Sequence, residues 1–354
     1  SGWGRAWRCC SPGFCFGGGE RFSSLVVTMP LEDAARSGTL TPRPLRDGFP
    51  PVSADSRLTS SDVDSVAPPL LEGSRLLDPL GQGGMGTVWR AVQLSSSRPV
   101  ALKLMRGSTF GSERARARFD REVDLLARLE HPHVARLYHS GVHQGVPFFA
   151  MELIDGEPLD EFVRARSLSL DATLSLFATV CRAVDYAHRR GVLHRDIKPS
   201  NVLVDESGTP HVLDFGLGKH LESSDDEDPL SIDGAVAGTP QYMSPEQAAG
   251  LVGRIDTRSD VYSLGVLLFR LLTREFPHRP CTSPFEWQRA IVEEPPRRAS
   301  EVSRGVDREL DAILAKALAK QPDDRYATAG AFAEDIECFR RHEPVRARPL
   351  TVGY

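Results

Sequence analysis

Apolar positions follow two different periods along this chain, and each change of period marks an element. Residues 1–70, rich in Gly, Ser, Pro and Arg, sustain neither the alternation of a strand nor the spacing of a helix. They bury too little apolar surface to offset the entropy of ordering, so disorder is expected there, with order beginning near Leu71. Thr87 to Val92 and Val100 to Leu104 are β-rich runs separated by the turn Ser95-Ser96-Ser97. Phe119, Val123 and Leu126 then recur at helical spacing, and Val146 to Leu153 reads as a buried strand closed by Asp155-Gly156. A helical run covers Asp171 to Arg190. Val202-Leu203-Val204 and His211-Val212-Leu213 flank the turn residues Asp205 to Gly208, which predicts a small hairpin. Val261 to Leu272 is apolar nearly all round after the N-cap signals of Asp256 to Asp260, as in a helix buried mid-lobe. Amphipathic helices are predicted near 307–319 and 328–341, and the Pro- and Arg-rich stretch 343–354 reads as a linker tail.

Composition narrows the class without naming it. The 354 residues, 40% hydrophobic and 26% charged, suit a soluble globular chain with one large domain or two lobes. A net charge of −5 gives no global basic face, so nucleic acid is not expected as a partner. No apolar run approaches the ~20 residues a membrane helix needs. Cys9, Cys10 and Cys15 lack a fourth ligand at zinc spacing, and Cys181, Cys281 and Cys338 are scattered. Reduced thiols in a cytoplasmic compartment are therefore expected. A chain that opens at Ser1, has its first methionine at Met29 and stops at Tyr354 is what processing, a mis-set start or a fragment would leave.

The candidate chemistry gathers around the predicted hairpin. Asn201 precedes its first strand and Asp214 follows its second, so antiparallel pairing brings their oxygens together at the open end. An amide and a carboxylate oxygen placed this way suit a hard cation such as Mg²⁺. Asp196 lies in the loop leading in, where it could take a proton from a hydroxyl. Upstream, Gly81-Gln82-Gly83-Gly84-Met85-Gly86 is a G-x-G-x-x-G, a pattern shared with dinucleotide-binding folds. Those folds open a helix at this point, whereas here a β-rich run comes next. The glycines then cap a hairpin whose N–H groups can approach phosphates, and the missing G-K-[ST] ending excludes a P-loop. Lys103 in its apolar strand could be a snorkelling edge residue. Glu122, however, falls on the inward stripe of Phe119, Val123 and Leu126, where an unpaired carboxylate would cost several kcal/mol, and Lys103 is its natural partner.

The string His194 to Gly216 (HRDIKPSNVLVDESGTPHVLDFG) resembles the catalytic and metal-binding loops of protein kinases. The likeness runs from Leu71 to Arg341, and the phrases at 81–86 and 239–248 look most like bacterial serine/threonine kinases of the eukaryotic type. It implies an α+β, two-lobed protein-kinase fold, with a five-stranded antiparallel N-lobe sheet plus one helix (71–152) and a mainly helical C-lobe (155–342). ATP and Mg²⁺ are the implied cofactors. Asp196 would be the base, Lys198 would neutralise the transferring phosphoryl group, Asn201 and Asp214 would hold Mg²⁺, and Lys103 with Glu122 would hold the α- and β-phosphates. By the same resemblance Leu80, Val88, Ala101 and Leu203 sandwich adenine, Met151 guards the back of the pocket, and the backbone of Glu152 and Ile154 bonds the base. Asp260 resembles the anchor of the catalytic loop, and Arg325 the partner of Glu246. Protein substrates with Ser or Thr acceptors are implied by Lys198-Pro199 after Asp196, and in this group a membrane anchor often lies further on, which would place one beyond Tyr354 if this chain is a fragment. A silent kinase-fold scaffold should have lost Lys103, Asp196 or Asp214. A small-molecule phosphotransferase should lack the Gly238–Glu246 docking loop and Arg325. An ATP-binding regulatory module would read the same in sequence.

Gly216 to Glu246 resembles an activation segment, with the acidic run Glu222 to Asp228 inside it and Arg195 as the basic residue such a segment engages. Phosphate on Ser223, Ser224 or Ser231, or the acids themselves, would neutralise Arg195 and order the loop. Phosphopeptide mapping of active protein is expected to find modification within 217–238, and a fully active, unmodified segment would remove the phosphate version.

Overall fold

The computed structural model describes residues 70–71, 73–83, 86–105, 113–215 and 240–348. The expected disorder before Leu70, the activation segment up to Thr239 and the last six residues lie outside it, as do Gly84, Met85 and the side chains of Phe119 and Glu122. The first lobe is a sheet of β1 (Leu70–Leu71), β2 (Ser74–Gly83), β3 (Gly86–Gln93), β4 (Arg98–Met105), β5 (Leu137–His143) and β6 (Val146–Glu152). The helix α1 (Glu113–Ala127) enters between β4 and β5. The spatial order is β1-β2-β3-β4-β6-β5, every neighbouring pair antiparallel: the expected five strands and one helix, with the two-residue β1 added at the edge.

Central position explains why β4 reads as a nearly continuous apolar run, since both its faces are covered. Val100 and Leu102 join Leu76, Ala91, Phe148 and Ala150 in a small outer core. Ala101 and Met105, on the other face, join Phe149 and Met151 in the main core. Lys103 alternates with that second set, which places it on the inner face of a central strand and removes the edge-lysine reading.

The second lobe begins with β7 (Gly156–Pro158), α2 (Leu159–Ala165) and α3 (Leu170–His188). The predicted hairpin is β8 (Val202–Asp205) and β9 (Pro210–Val212), paired Val202 to Val212 and extended by β7 into three strands. The Asp205 carboxylate closes its turn, accepting the N–H groups of Ser207 and Thr209, each at 2.9 Å. Then come α4 (Pro245–Ala248), α5 (Thr257–Thr273), α6 (Pro284–Glu293), α7 (Ala299–Val302), α8 (Arg308–Ala317) and α9 (Ala329–Arg340). As its all-round apolarity predicted, α5 is buried from Ser259 to Phe269. Gly265 lets α8 approach it: a Cβ there would stand 3.0 Å from the Cβ of Ala317.

Two features were not legible in the hydrophobic pattern. The loop after α1 docks on the second lobe, Ala135 N–H donating to Val212 O and Val212 N–H to His133 O, both at 2.9 Å. Tyr186 of α3 donates to Glu130 O at 2.6 Å in the same loop. The expected linker from Glu343 is, as far as Arg348, laid against α9: Val345 is buried, and buried Asp335 accepts the N–H groups of Arg346 and Ala347 at 2.6 and 2.9 Å. A single apolar side chain and one carboxylate suffice for this, too little for a periodic signal. Among the described residues no helix is long and apolar enough to cross a membrane.

Gly86 pairs with Gly83 at the end of the glycine hairpin with φ of 148°, and a Cβ there would fall 2.0 Å from Leu104 O. Gly86→Ala is expected to cost about 1–3 kcal/mol, seen in thermal unfolding as a fall of roughly 3–8 °C.

Candidate active site

The glycine string folds as the strand reading requires. Gly81, Gln82 and Gly83 end β2, Gly86 opens β3, and the side chain of Val88 comes next on the strand, with no helix at this point. Leu80 and Val88, half-buried, lie against the main core that contains Ala101 and Met151, and Ala101 is the cross-strand partner of Met151. Glu152 ends β6, while Ile154 and Leu203 are buried at 8% and 4% exposure, little more than ordinary core positions. Leu80, Val88, Ala101 and Met151 therefore share one core, while Ile154 and Leu203 are buried outside that cluster.

The hairpin sets the polar side of the candidate site. Leu213 N–H donates to Asn201 O at 2.9 Å, which continues the β8–β9 ladder by one step and sets Asp214 just past it. Asp214 takes the left-handed conformation, φ 58°, which aspartate tolerates better than most residues. Its Oδ2 accepts from Lys103 Nζ at 2.8 Å, joining β4 of one lobe to the hairpin of the other across 111 positions of sequence. Lys103 is 7% exposed, so this pair is largely shielded from water. The expected contact of Lys103 with Glu122 involves a side chain that is not among those described; Glu122 itself lies within α1.

Asp196 is tied to the same hairpin end through Asn201, whose backbone oxygen takes the Leu213 N–H. Lys198 Nζ lies 2.7 Å from Asp196 Oδ2, and Asn201 Nδ2 donates to the Asp196 backbone oxygen at 2.8 Å and to Asp196 Oδ2 at 3.1 Å. With the amide nitrogen of Asn201 engaged in this way, its oxygen is left as an acceptor. That oxygen and the Asp214 carboxylate are suitable donors for Mg²⁺, which takes oxygen ligands and completes its shell from phosphates and water. Among the described residues no group of three or more His, Cys, Asp or Glu could hold a metal ion, so a cation here would need nucleotide oxygens as well.

The loop that carries Asp196 is anchored from below. Asp260, 1% exposed at the start of α5, accepts His194 N–H and Arg195 N–H, both at 2.7 Å, and its Oδ2 lies 2.8 Å from His188 Nε2. Burial alone would raise the Asp260 pKa, but the hydrogen bond and charge of His188, and the bond from His194, hold it below the ordinary value. Arg195 is thereby kept at φ 62°, a conformation an arginine would otherwise avoid at a cost of about 1–3 kcal/mol. His194, fully buried with its pKa lowered by that burial, packs its ring at a tilt against Phe215, 4.7 Å between centres, and so supports the residue next to Asp214.

The docking loop is fixed by three helix-start contacts. Ser244 caps α4 in a capping box with Gln247, whose Nε2 donates to Arg195 O at 2.9 Å. Glu246 receives both terminal nitrogens of Arg325, at 2.7 and 2.8 Å, together with Ser259 Oγ at 2.6 Å. Ser263 Oγ donates to Tyr242 O at 2.7 Å. Thr239, expected to bond Asp196 and Lys198, lies outside the described residues. Sequence reasoning missed His188, Gln247, Ser259 and Ser263. The capping spacing Ser244-x-x-Gln247 was the one available signal, and the rest needed the fold.

Known proteins resemble this chain in sequence and in fold. The sequence pattern of the protein kinase domain family matches residues 75–335. The probable serine/threonine-protein kinase SCO3848 of Streptomyces coelicolor is 38% identical over 273 residues, covering 76% of this chain. Serine/threonine-protein kinase Pkn3 of Myxococcus xanthus is 38% identical over 267 residues, covering 73%. The chain spans only 40% and 48% of the lengths of these two relatives. The crystal structure of the Mycobacterium tuberculosis PknI kinase domain superposes with a TM-score of 0.61 at 27% identity, covering 78% of this chain and 99% of that one.

Arg325→Met would leave Glu246, 4% exposed, as an uncompensated buried charge. Denaturant unfolding should show a loss of about 3–5 kcal/mol, with part recovered in Arg325→Met/Glu246→Gln. Burial alone would raise the Glu246 pKa, but the bonds from Arg325 and Ser259 hold it below its ordinary 4.5. Its contribution to stability is therefore present above pH 4.5 and is lost as the pH falls through the lowered value, a limb expected to be missing in the double variant.

Proposed function

Because the chain belongs to the protein kinase domain family, we propose that it is an ATP-dependent protein-serine/threonine kinase with the roles assigned above to its cleft residues. The observation that carries this is the Lys103–Asp214 contact, 2.8 Å long, in the same cleft as Asp196, Lys198 and Asn201. Five polar side chains from two lobes have no reason to converge for stability alone, since buried ion pairs contribute little net free energy. Pseudokinase scaffolds lose members of this set, and none is lost here.

Bound ATP with Mg²⁺ supplies the γ-phosphoryl group and a cation that spreads its charge. Asn201 and Asp214 would hold that cation, and Lys103, next to Asp214, would hold the phosphates under the glycine hairpin. Asp196 orients the acceptor hydroxyl and takes its proton as the new oxygen–phosphorus bond forms and the bond to the β–γ bridging oxygen breaks. Lys198, already 2.7 Å from Asp196, balances the charge on the phosphoryl group in transit. The lysine two residues after Asp196, with Pro199 next to it, favours Ser and Thr acceptors, the activation segment of the same chain among them. A cytoplasmic location accords with Cys181, Cys281 and Cys338 being free thiols.

Incubation with labelled ATP-Mg²⁺ and a generic basic protein should give phosphoserine and phosphothreonine. Asp196→Asn is expected to lose on the order of 10²–10⁴-fold in rate while still binding nucleotide. Full activity in that variant would overturn the base assignment, and no transfer by the unaltered chain would favour the scaffold reading.

A further inference from the structure

A cavity of about 680 Å³ lies where the start of β4, the start of β5 and the loop after α1 meet Glu152 and Leu153. Of the residues assigned a role above, Glu152 alone lines it, and the role given to Glu152 belongs to its backbone. Its volume is within the range of small-ligand sites, roughly 300–1,000 Å³. The Arg98 guanidinium carbon lies over the Tyr138 ring, 4.5 Å from its centre, and Arg98 has no acidic partner among the described residues. Arg136 carries the second guanidinium, held loosely by Glu130 at 3.5 Å, with both side chains more than half exposed. His131 completes the wall. Its Nδ1 accepts His133 N–H at 3.2 Å, and burial, with the charges of His133 and Arg190, lowers its pKa. A neutral ring with Nδ1 accepting carries its hydrogen on Nε2, which makes Nε2 a donor.

We propose that this cavity is a second ligand site, separate from the nucleotide cleft, for a small aromatic anion: a ring bearing a carboxylate or a phosphate. The Arg98–Tyr138 pair offers a cation and an aromatic surface to a ring. Arg136, Arg98 and the imidazole N–H offer the forked donors that a planar or tetrahedral anion takes. Glu130, more than two-thirds exposed, can turn into water when an anion takes its place beside Arg136. Glu152 accepts the backbone Arg136 N–H at 3.2 Å, which directs one of its oxygens to the main chain. The site also adjoins the nucleotide cleft through the backbone, since Glu152 N–H donates to Arg136 O at 2.8 Å.

The test is calorimetric titration of the full chain with phenyl phosphate, benzoate, inorganic phosphate and benzyl alcohol, each with and without a saturating non-hydrolysable ATP analogue. Phenyl phosphate or benzoate is expected to bind the analogue-saturated chain, and whichever binds tells phosphate from carboxylate. Inorganic phosphate and benzyl alcohol should bind far more weakly. Arg98→Ala and Arg136→Ala, both exposed and outside the catalytic set, should each weaken binding about tenfold or more, with an unchanged thermal midpoint showing that each variant is folded. Binding abolished by the analogue, binding equally strong in both variants, or no binding of either ring anion at millimolar concentration would overturn the proposal. Equal affinity for inorganic phosphate would overturn its aromatic part. None of these readings involves phosphoryl transfer, so they stand or fall apart from the function proposed above.

Discussion

A single carboxylate, that of Asp260, fixes the backbone from which the candidate chemistry projects. It sits at the start of a helix buried along eleven consecutive residues, Ser259 to Phe269, so its position is set by the core. From there it accepts the N–H groups of His194 and Arg195 and contacts His188. Those bonds hold Arg195 in a left-handed turn, and the turn is what brings Asp196 out of the lobe and toward Lys198 and Asn201. A buried carboxylate with three polar partners is stable there because each bond offsets part of the desolvation cost.

The same logic of burial plus several bonds recurs one layer out. Glu246 and Arg325 form a pair that is almost wholly inaccessible, and the guanidinium also donates to the carbonyls of Ala319, Arg258 and Lys320. The arginine thereby ties the docking loop to α5 and to the segment after α8. Above the cleft, the link between lobes is different in kind. It consists of Lys103 reaching Asp214, the loop after α1 laid against β9, and an apolar core that continues from β4 and β6 into the hairpin. A few polar contacts across a lobe boundary can rearrange more readily than the packed interior of α5.

How much of this could be read from the chain differs by element. The hairpin β8–β9 was legible because its alternation and its turn residues agree, and α5 because a helix apolar on every side has one place to go. For the glycine string the deciding signal was the β-rich run from Thr87 to Val92, which rules out a helix at that point. Lys103 was identified as inward-facing through its expected partner Glu122; the described contact is with Asp214, so for the lysine the pattern pointed to the right side of the sheet by way of another residue. His188, Ser263 and the Tyr186–Glu130 contact carry no periodic mark. Each depends on a group from a distant segment brought near by folding, and the chain around it reads as ordinary helix or loop.

By itself the sequence determined the order of elements, the hairpin that sets Asn201 near Asp214 and the helix at the centre of the second lobe. These rest on periods and spacings, which are local. Only the tertiary structure decided that Asp260 holds Arg195 in its strained turn, that Gln247 reaches Arg195 O, and that the stretch through Arg348 folds back on Asp335. It also decided that Arg98, Arg136 and His131 share one cavity. Each of these joins groups distant along the chain through one or two hydrogen bonds or a shared wall, and a contact of that kind leaves no repeat in the sequence from which it could be read.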